Sequence, residues 1–326
     1  MWLEYYLPNN KLNNKDLAQE FPNWDYQSFE QKVGIKNRYI VSEDETALDL
    51  AEHASLKLLN DFKKEDIDFV LLCTQSPDYF LPTSACILQD RLGLSKNCGA
   101  LDFNLGCSGY VNGLALAKGL LSSHIAQNIL FVVAETYSKH MHRGDRVNRA
   151  IFGDAAAATI VNKDTFQIGE FVLRTDGGGY QELIVKNGGF KNKSILNVPE
   201  FEYGTGNITS DAHLYMNGPS IFSFTITNIP KLVRDTAEKN NLSLDEVDYF
   251  IFHQANKFML EYLRKKIKID PDKFCIDIAE TGNTVSATIP LALKNAIDEK
   301  KVKKGNRIML VGFGVGLSWG ATIITI

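Results

Sequence analysis

The chain has 326 residues, of which 44% are hydrophobic and 23% charged, and it carries a formal net charge of −4. That length holds two domain-sized units, and the balance excludes a disordered chain or a polycation built for nucleic acid or an acidic membrane surface. No stretch approaches the roughly 18 apolar residues that a membrane span requires, and the first residues lack the basic and apolar regions of a signal peptide, so a cytoplasmic location is expected.

The first half alternates helical and strand patterns. A helix is expected over 46–62, a strand over 68–74, a helix over 84–92, a strand over 99–105, a helix over 109–121 and a strand over 128–134. Strands that are almost uninterrupted apolar runs imply sheets covered on both faces by helices. The 109–121 helix carries Gly109, Gly113, Ala115, Ala117 and Gly119. Glycines weaken an exposed helix, so this small-residue face suits a helix threaded between two sheets.

The pattern is then written again. Glu65-Asp66-Ile67-Asp68-Phe69-Val70 returns as Asp245-Glu246-Val247-Asp248-Tyr249-Phe250, Ala100-Leu101-Asp102-Phe103 as Cys275-Ile276-Asp277-Ile278, and Asn128-Ile129-Leu130-Phe131 as Asn306-Arg307-Ile308-Met309. A fourth echo joins 153–161 to 320–326. Order and spacing both hold, which argues for an internal duplication. The fold expected is α/β, with two pseudo-symmetric halves stacked as helix, sheet, helix, sheet, helix. Residues 1–165 form one half and 166–326 the other, with 166–217 an irregular connection. The middle layer pairs the 109–121 helix with another over 287–297. The glycine runs at 177–179, 187–189 and 204–207 match no phosphate-binding pattern and read as turns.

Five cysteines, Cys73, Cys86, Cys98, Cys107 and Cys275, include no Cys-x-x-Cys pair, so free thiols in a reducing compartment and no metal site are expected. Cys107 stands apart, in Asn104-Leu105-Gly106-Cys107-Ser108-Gly109-Tyr110, where a strand gives way to the small-residue helix. Unpaired N–H groups and the helix dipole at that point are expected to lower its pKa and favour a thiolate. A lone cysteine is ordinarily a small core residue, but two later segments argue for chemistry.

His253 follows the second copy's Phe250-Ile251-Phe252 strand, and Asn283 lies in Gly282-Asn283-Thr284, the counterpart of the Cys107 turn. Duplication brings both onto the face that carries Cys107. A thiolate with an imidazole and a carboxamide suits acyl-thioester chemistry, the sulfur taking the acyl group while two N–H donors stabilise an enolate oxygen. The glycines of Gly312-Phe313-Gly314-Val315-Gly316 are too closely spaced for an ordinary strand, so that backbone is expected to approach something closely.

These motifs, with Val33-Gly34-Ile35 and Arg38, Pro82-Thr83-Ser84-Ala85-Cys86, Ile151-Phe152-Gly153-Asp154 and His253-Gln254-Ala255-Asn256, resemble those of the β-ketoacyl-acyl-carrier-protein synthase III family of thiolase-like condensing enzymes, over essentially the whole chain. The resemblance implies that Cys107 accepts an acyl group from an acyl thioester, CoA or carrier protein. His253 and Asn283 then bind a malonyl-acyl-carrier protein thioester, whose decarboxylation supplies the enolate for a Claisen condensation in fatty acid or related lipid biosynthesis. It also implies an oxyanion hole from the backbone N–H groups of Cys107 and Val315, an acyl pocket at Leu81 and Phe313, and donor binding by Arg146, Asn256, Lys257 and Gly218. No cofactor is implied. A homodimer is, with the Phe80-Leu81-Pro82 turn reaching into the neighbour's pocket.

The departures from the family pattern concern the donor. Ser28 stands where a CoA-clamping tryptophan is usual, Phe258 where an arginine is usual, and Pro219 where an asparagine is common. Two alternatives therefore stand beside condensation: transfer of the Cys107 acyl group to an oxygen or nitrogen nucleophile, and an inactive partner subunit.

Overall fold

The computed structural model describes residues 2–204 and 206–326; Met1, and Thr205 of the 204–207 turn, lie outside the described residues. A first sheet runs in the order Leu3–Tyr6, Ala155–Val161, Ile129–Glu135, Phe69–Cys73 and Gly99–Phe103. Phe69–Cys73 is parallel to both its neighbours, while Ala155–Val161 and Leu3–Tyr6 each add antiparallel. The second sheet runs Tyr249–Phe252, Arg307–Gly314, Ser318–Thr325, then Gln167–Ile168 and Val172–Thr175, both on the Ser318–Thr325 edge. Its first pair is parallel and the rest antiparallel, so one order and sense of strands occurs twice.

The repeat is imperfect in one place. The strand expected over 275–278 does not form, and its place beside Tyr249–Phe252 is held by a single bridge between Phe250 and Phe274. Beyond that bridge the Gln254 side chain takes over the ladder, its Oε1 accepting from the Asp277 N–H at 2.7 Å and its Nε2 donating to the Phe252 carbonyl at 2.6 Å. Cys275 still donates its N–H to the Phe250 carbonyl at 3.0 Å, but at Asp277 the segment pairs with a side chain instead of a backbone.

Every residue of Ile129–Glu135 and of Ala155–Val161 is buried, as sheets covered on both faces require. Ala47–Leu59 lies on the outer face of the first sheet. It opens on Thr46, which forms a capping box with Asp49, and it turns Leu48, Ala51 and Leu58 inward. Gly218–Lys239 covers the outer face of the second sheet, with Lys257–Ile267 packed beside it. Gly109–Ser122 and Thr288–Asp298 touch strands of both sheets and form the middle layer. Two of the helix's glycines are required there, since a Cβ at Gly109 would strike the Cys73 sulfur and one at Gly113 the Phe131 ring. Gly119 faces open space, so close packing does not explain it.

Among the described residues no helix is long and apolar enough to cross a membrane.

Candidate active site

Cys107 sits in a tight turn between Gly99–Phe103 and Gly109–Ser122, closed by a 2.7 Å bond from the Gly109 N–H to the Gly106 carbonyl. The thiol is 4% exposed. The end of Arg307–Gly314 presses against it. A Cβ at Gly314 would lie 2.8 Å from the Cys107 Cβ and 2.9 Å from its Sγ, and one at Gly312 would lie 2.8 Å from the Ser108 Cα. The close approach expected of this glycine run is therefore to the cysteine turn itself. It brings the Val315 N–H, together with that of Cys107, near enough to the sulfur to pull its pKa down.

His253 leaves the end of Tyr249–Phe252, its backbone N–H donating to the Val311 carbonyl at 2.7 Å. Its Nδ1 meets the Thr288 hydroxyl at 2.7 Å, and that hydroxyl also lies 3.0 Å from the Val285 carbonyl. Phe313 packs edge-on against the imidazole, with ring centroids 5.5 Å apart. The Thr288 hydroxyl has one hydrogen: it accepts from Nδ1–H while donating to the Val285 carbonyl in one neutral tautomer, and turns to donate to Nδ1 in the other. When it donates to Nδ1, the hydrogen sits on Nε2.

Asn283 is held from the opposite half. Its N–H donates to the Ile151 carbonyl at 2.9 Å and its carbonyl accepts from the Gly153 N–H at 3.0 Å. Gly282 before it has φ +66°, and a Cβ there would lie 2.7 Å from the Ile151 carbonyl oxygen, so only glycine fits the turn. The Asn283 Oδ1 accepts from the Val285 N–H at 2.9 Å, which orients the amide so that Nδ2 faces His253 Nε2 at 3.4 Å. Two donors face each other there when Nε2 carries its hydrogen, an arrangement that a single acceptor atom between them would satisfy.

Cys107, His253 and Asn283 line one cavity of about 180 Å3, together with Phe313, Asn256 and Gly218. Asn256 also caps Lys257–Ile267 through a 2.8 Å bond from the Met259 N–H to its Oδ1. Four residues named from the sequence are absent from this lining: Val315, expected for its backbone N–H, and three others. Arg146 is half-buried on the short helix Arg146–Ile151, whose Val147 reaches the cavity instead; Lys257 is exposed and backs onto Gly34; Leu81 is 79% exposed on a projecting turn. Sequence reasoning missed Leu183, Met216, Ile221 and Met259, which complete the apolar wall. Leu183 and Met216 come from two-residue strands that pair with each other inside the irregular connection, too short to leave a periodic signal.

The electrostatics correct one expectation. The Cys107 thiol is pushed up to about 12, chiefly by burial and next by the nearby Glu135, against the pull of the Val315 and Cys107 N–H groups. A helix terminus contributes about 0.3–1 kcal/mol, less than one pKa unit, whereas full burial shifts a group by up to about 3–5 units. Burial wins, and the resting sulfur is a thiol. The same burial holds His253 down at about 3, so its imidazole is neutral and only weakly basic in the resting site. Glu135 is fully buried and pushed up to about 8, although it accepts from the Gln75 N–H at 3.1 Å and the Ser286 hydroxyl at 3.1 Å.

Residues 101–177 match the family described as 3-oxoacyl-(acyl-carrier-protein) synthase III, and residues 237–326 match its C-terminal counterpart. A beta-ketoacyl-(acyl-carrier-protein) synthase III of Clostridium perfringens is 38% identical, across 98% of this chain and 96% of the relative. A crystal structure of a 3-oxoacyl-(acyl-carrier-protein) synthase III superposes with a TM-score of 0.97 at 44% identity, covering 99% of this chain and 98% of the other. The Thermus thermophilus synthase III does so at 0.87 and 32% identity, covering 99% and 98%. The chain, a thiolase-like α/β protein, belongs to the 3-oxoacyl-(acyl-carrier-protein) synthase III family.

Proposed function

We propose that the protein joins an acyl thioester to a malonyl-carrier-protein thioester by decarboxylating Claisen condensation, in fatty acid or related lipid biosynthesis. The observation that carries the reading is the meeting of Cys107, His253 and Asn283 on one small cavity, with the Val315 N–H at the sulfur. In the first step the Cys107 sulfur bonds to the acyl carbon as the donor's C–S bond breaks, and the thiol proton passes in concert through the neutral His253 to the departing thiolate. The oxyanion lies against the Cys107 and Val315 N–H groups. In the second, the malonyl thioester carbonyl occupies the gap between Asn283 Nδ2 and His253 Nε2. The carboxylate departs as CO2, the electron pair passes to an enolate held by those donors, and the enolate carbon attacks the acyl group while Cys107 leaves as thiolate and is reprotonated.

The same reading gives residues 1–165 the nucleophile and 166–326 the histidine and asparagine, a division supported by the repeated strand order. It also includes a homodimer, supported by the projecting apolar tip of Tyr79, Phe80 and Leu81, 61%, 77% and 79% exposed. Arg146 and Lys257, each next in sequence to a residue of the cavity wall, are assigned to the donor.

Incubation with an acyl thioester and malonyl-carrier protein, followed by CO2 release and product mass, tests the reading. Condensation yields CO2 and a product longer by a two-carbon unit. A second reading, transfer of the acyl group to an oxygen or nitrogen nucleophile, draws on Ser28, Phe258 and Pro219 at the donor site; its product is an ester or amide, formed without CO2.

A further inference from the structure

Val285 holds a backbone conformation that a β-branched residue rarely adopts. Its φ is +56°, in the left-handed region, and its side chain is fully buried. Such a residue persists only where its surroundings hold it, and strain of this kind gathers at functional sites. Both backbone polar groups of Val285 serve the cavity. Its N–H donates to Asn283 Oδ1 at 2.9 Å, and its carbonyl lies 3.0 Å from the Thr288 hydroxyl that meets His253 Nδ1. Asn283 and His253, the two donors, therefore take their orientation from one strained residue.

The hold comes from a buried carboxyl group that takes no part in the bond changes. Ser286, next in the chain and also buried, donates its hydroxyl to Glu135 Oε1 at 3.1 Å. Glu135 ends the strand Ile129–Glu135 of the first sheet and is fully buried. Its Oε2 accepts from the Gln75 N–H at 3.1 Å and from the Ser76 hydroxyl at 3.4 Å, and the same N–H lies 3.3 Å from Oε1. No cation stands among these partners. A carboxyl group is costly to bury, so its hydrogen bonds, and not the space it fills, are its contribution here. They tie the Gln75–Ser76 segment to the turn Val285–Ala287. Protonation of Glu135 leaves an oxygen that still accepts from Ser286, so the tie holds in either state. The cysteine turn has separate support, from its own Gly109 to Gly106 bond and from the strand that carries Gly312 and Gly314. Glu135 therefore acts on one side of the site only.

We infer that Glu135 is a positioning residue for the decarboxylating step. Its bond to Ser286 holds Val285 in the left-handed conformation that aims the Asn283 amide and, through Thr288, the His253 imidazole at the malonyl thioester carbonyl. This rests on the condensing-enzyme reading, since the two donors matter only when that carbonyl lies between them. Without the bond Val285 relaxes toward an ordinary conformation, its N–H and carbonyl turn away from Asn283 and Thr288, and the gap between Asn283 Nδ2 and His253 Nε2 loses its shape. Acylation of Cys107 needs neither donor gap nor Glu135, whose negative charge near the sulfur only opposes thiolate formation.

The test reads two rates on each intact protein: acetyl uptake on Cys107 from acetyl-N-acetylcysteamine, by mass, and CO2 release from malonyl-carrier protein once Cys107 carries the acetyl group. Glu135→Met removes the acceptor at similar volume, and Ser286→Ala removes only the donor hydroxyl. Each should slow CO2 release about tenfold, the effect of one buried hydrogen bond, while acetyl uptake stays at or above the wild-type rate. Glu135→Gln, whose amide oxygen still accepts from Ser286, should bring CO2 release back to within about threefold of wild type. General damage to the fold would lower both rates together, and that result overturns the proposal. So does CO2 release at the wild-type rate in both variants. Should Glu135→Met not fold, Ser286→Ala, which deletes a single oxygen atom, decides alone. A wild type that takes up no acetyl group, or that releases no CO2 after taking one up, overturns instead the reading on which the proposal stands.

Discussion

Replacing Gly312 with alanine tests whether strand position governs the chemistry at Cys107. The added Cβ would lie 2.8 Å from the Ser108 Cα and 3.1 Å from the Cys107 carbonyl oxygen, both backbone atoms that cannot swing aside. Ordinary contact begins near 3.4 Å, so strand and turn must separate by about 0.6 Å. Overpacking of this kind costs about 1–3 kcal/mol in stability. Val315, three residues on, would move with the strand, and displacement of a reacting geometry by about 1 Å can cost about a hundredfold; we therefore expect Cys107 acylation to slow about tenfold. The assay is the rate of acyl-enzyme formation by intact-protein mass, with Tm measured beside it. Gly320→Ala, on the strand position paired with Gly312, is the control: its Cβ would meet the Leu173 Cδ2 at 2.6 Å, a movable side-chain end and not the cysteine turn's backbone. It should lower Tm and leave the rate within about twofold of wild type. If Gly312→Ala loses stability yet acylates at the wild-type rate, the link between strand position and the thiol is wrong.

Alkylation of Cys107 by iodoacetamide should keep rising beyond pH 9 without a plateau, because burial raises its pKa to about 12, and Glu135→Gln should hasten it by removing a nearby negative charge; a midpoint below about 8.5 would restore the helix-dipole account. Glu135 also links stability to pH. Its folded pKa, near 8, lies above its unfolded value, so its contribution is fully present below about 4.5 and is lost as pH rises toward 8. Glu135→Gln should flatten the fall of Tm between pH 5 and 8, and an unchanged slope would contradict this. Thr288→Val leaves the His253 Nδ1 without its hydroxyl partner and should slow malonyl decarboxylation about tenfold, with Thr288→Ser restoring it; equal rates in all three proteins would remove Thr288 from the histidine's support.

Much of this molecule was legible in the sequence because its signals are local. The Thr46 and Asp49 pair marks a helix start, the apolar run within 128–134 marks a strand buried on both faces, and Gly109 and Gly113 mark a helix pressed between sheets. The duplication places Cys107, His253 and Asn283 at the ends of corresponding segments of the two halves. What was not legible depends on distant partners. The 275–278 segment has a strand's composition, but Gln254 supplies its hydrogen bonds. Glu135 reads as an acid at a strand end, and only folding surrounds it with Gln75, Ser76 and Ser286. A helix terminus alone predicts a lowered Cys107 pKa, and the burial that reverses it comes in part from the opposite half's glycine strand. Leu183 and Met216 enter the site from a connection whose composition reads as turns.

The most direct test of the proposed division of labour separates the half-reactions. Cys107→Ala should release CO2 from malonyl-carrier protein without forming any 3-oxoacyl product, whereas Asn283→Ala should still take up an acyl group on Cys107 but release little CO2. If Cys107→Ala forms the condensed product, or Asn283→Ala decarboxylates malonyl-carrier protein at the wild-type rate, the account of how these residues share the reaction is contradicted.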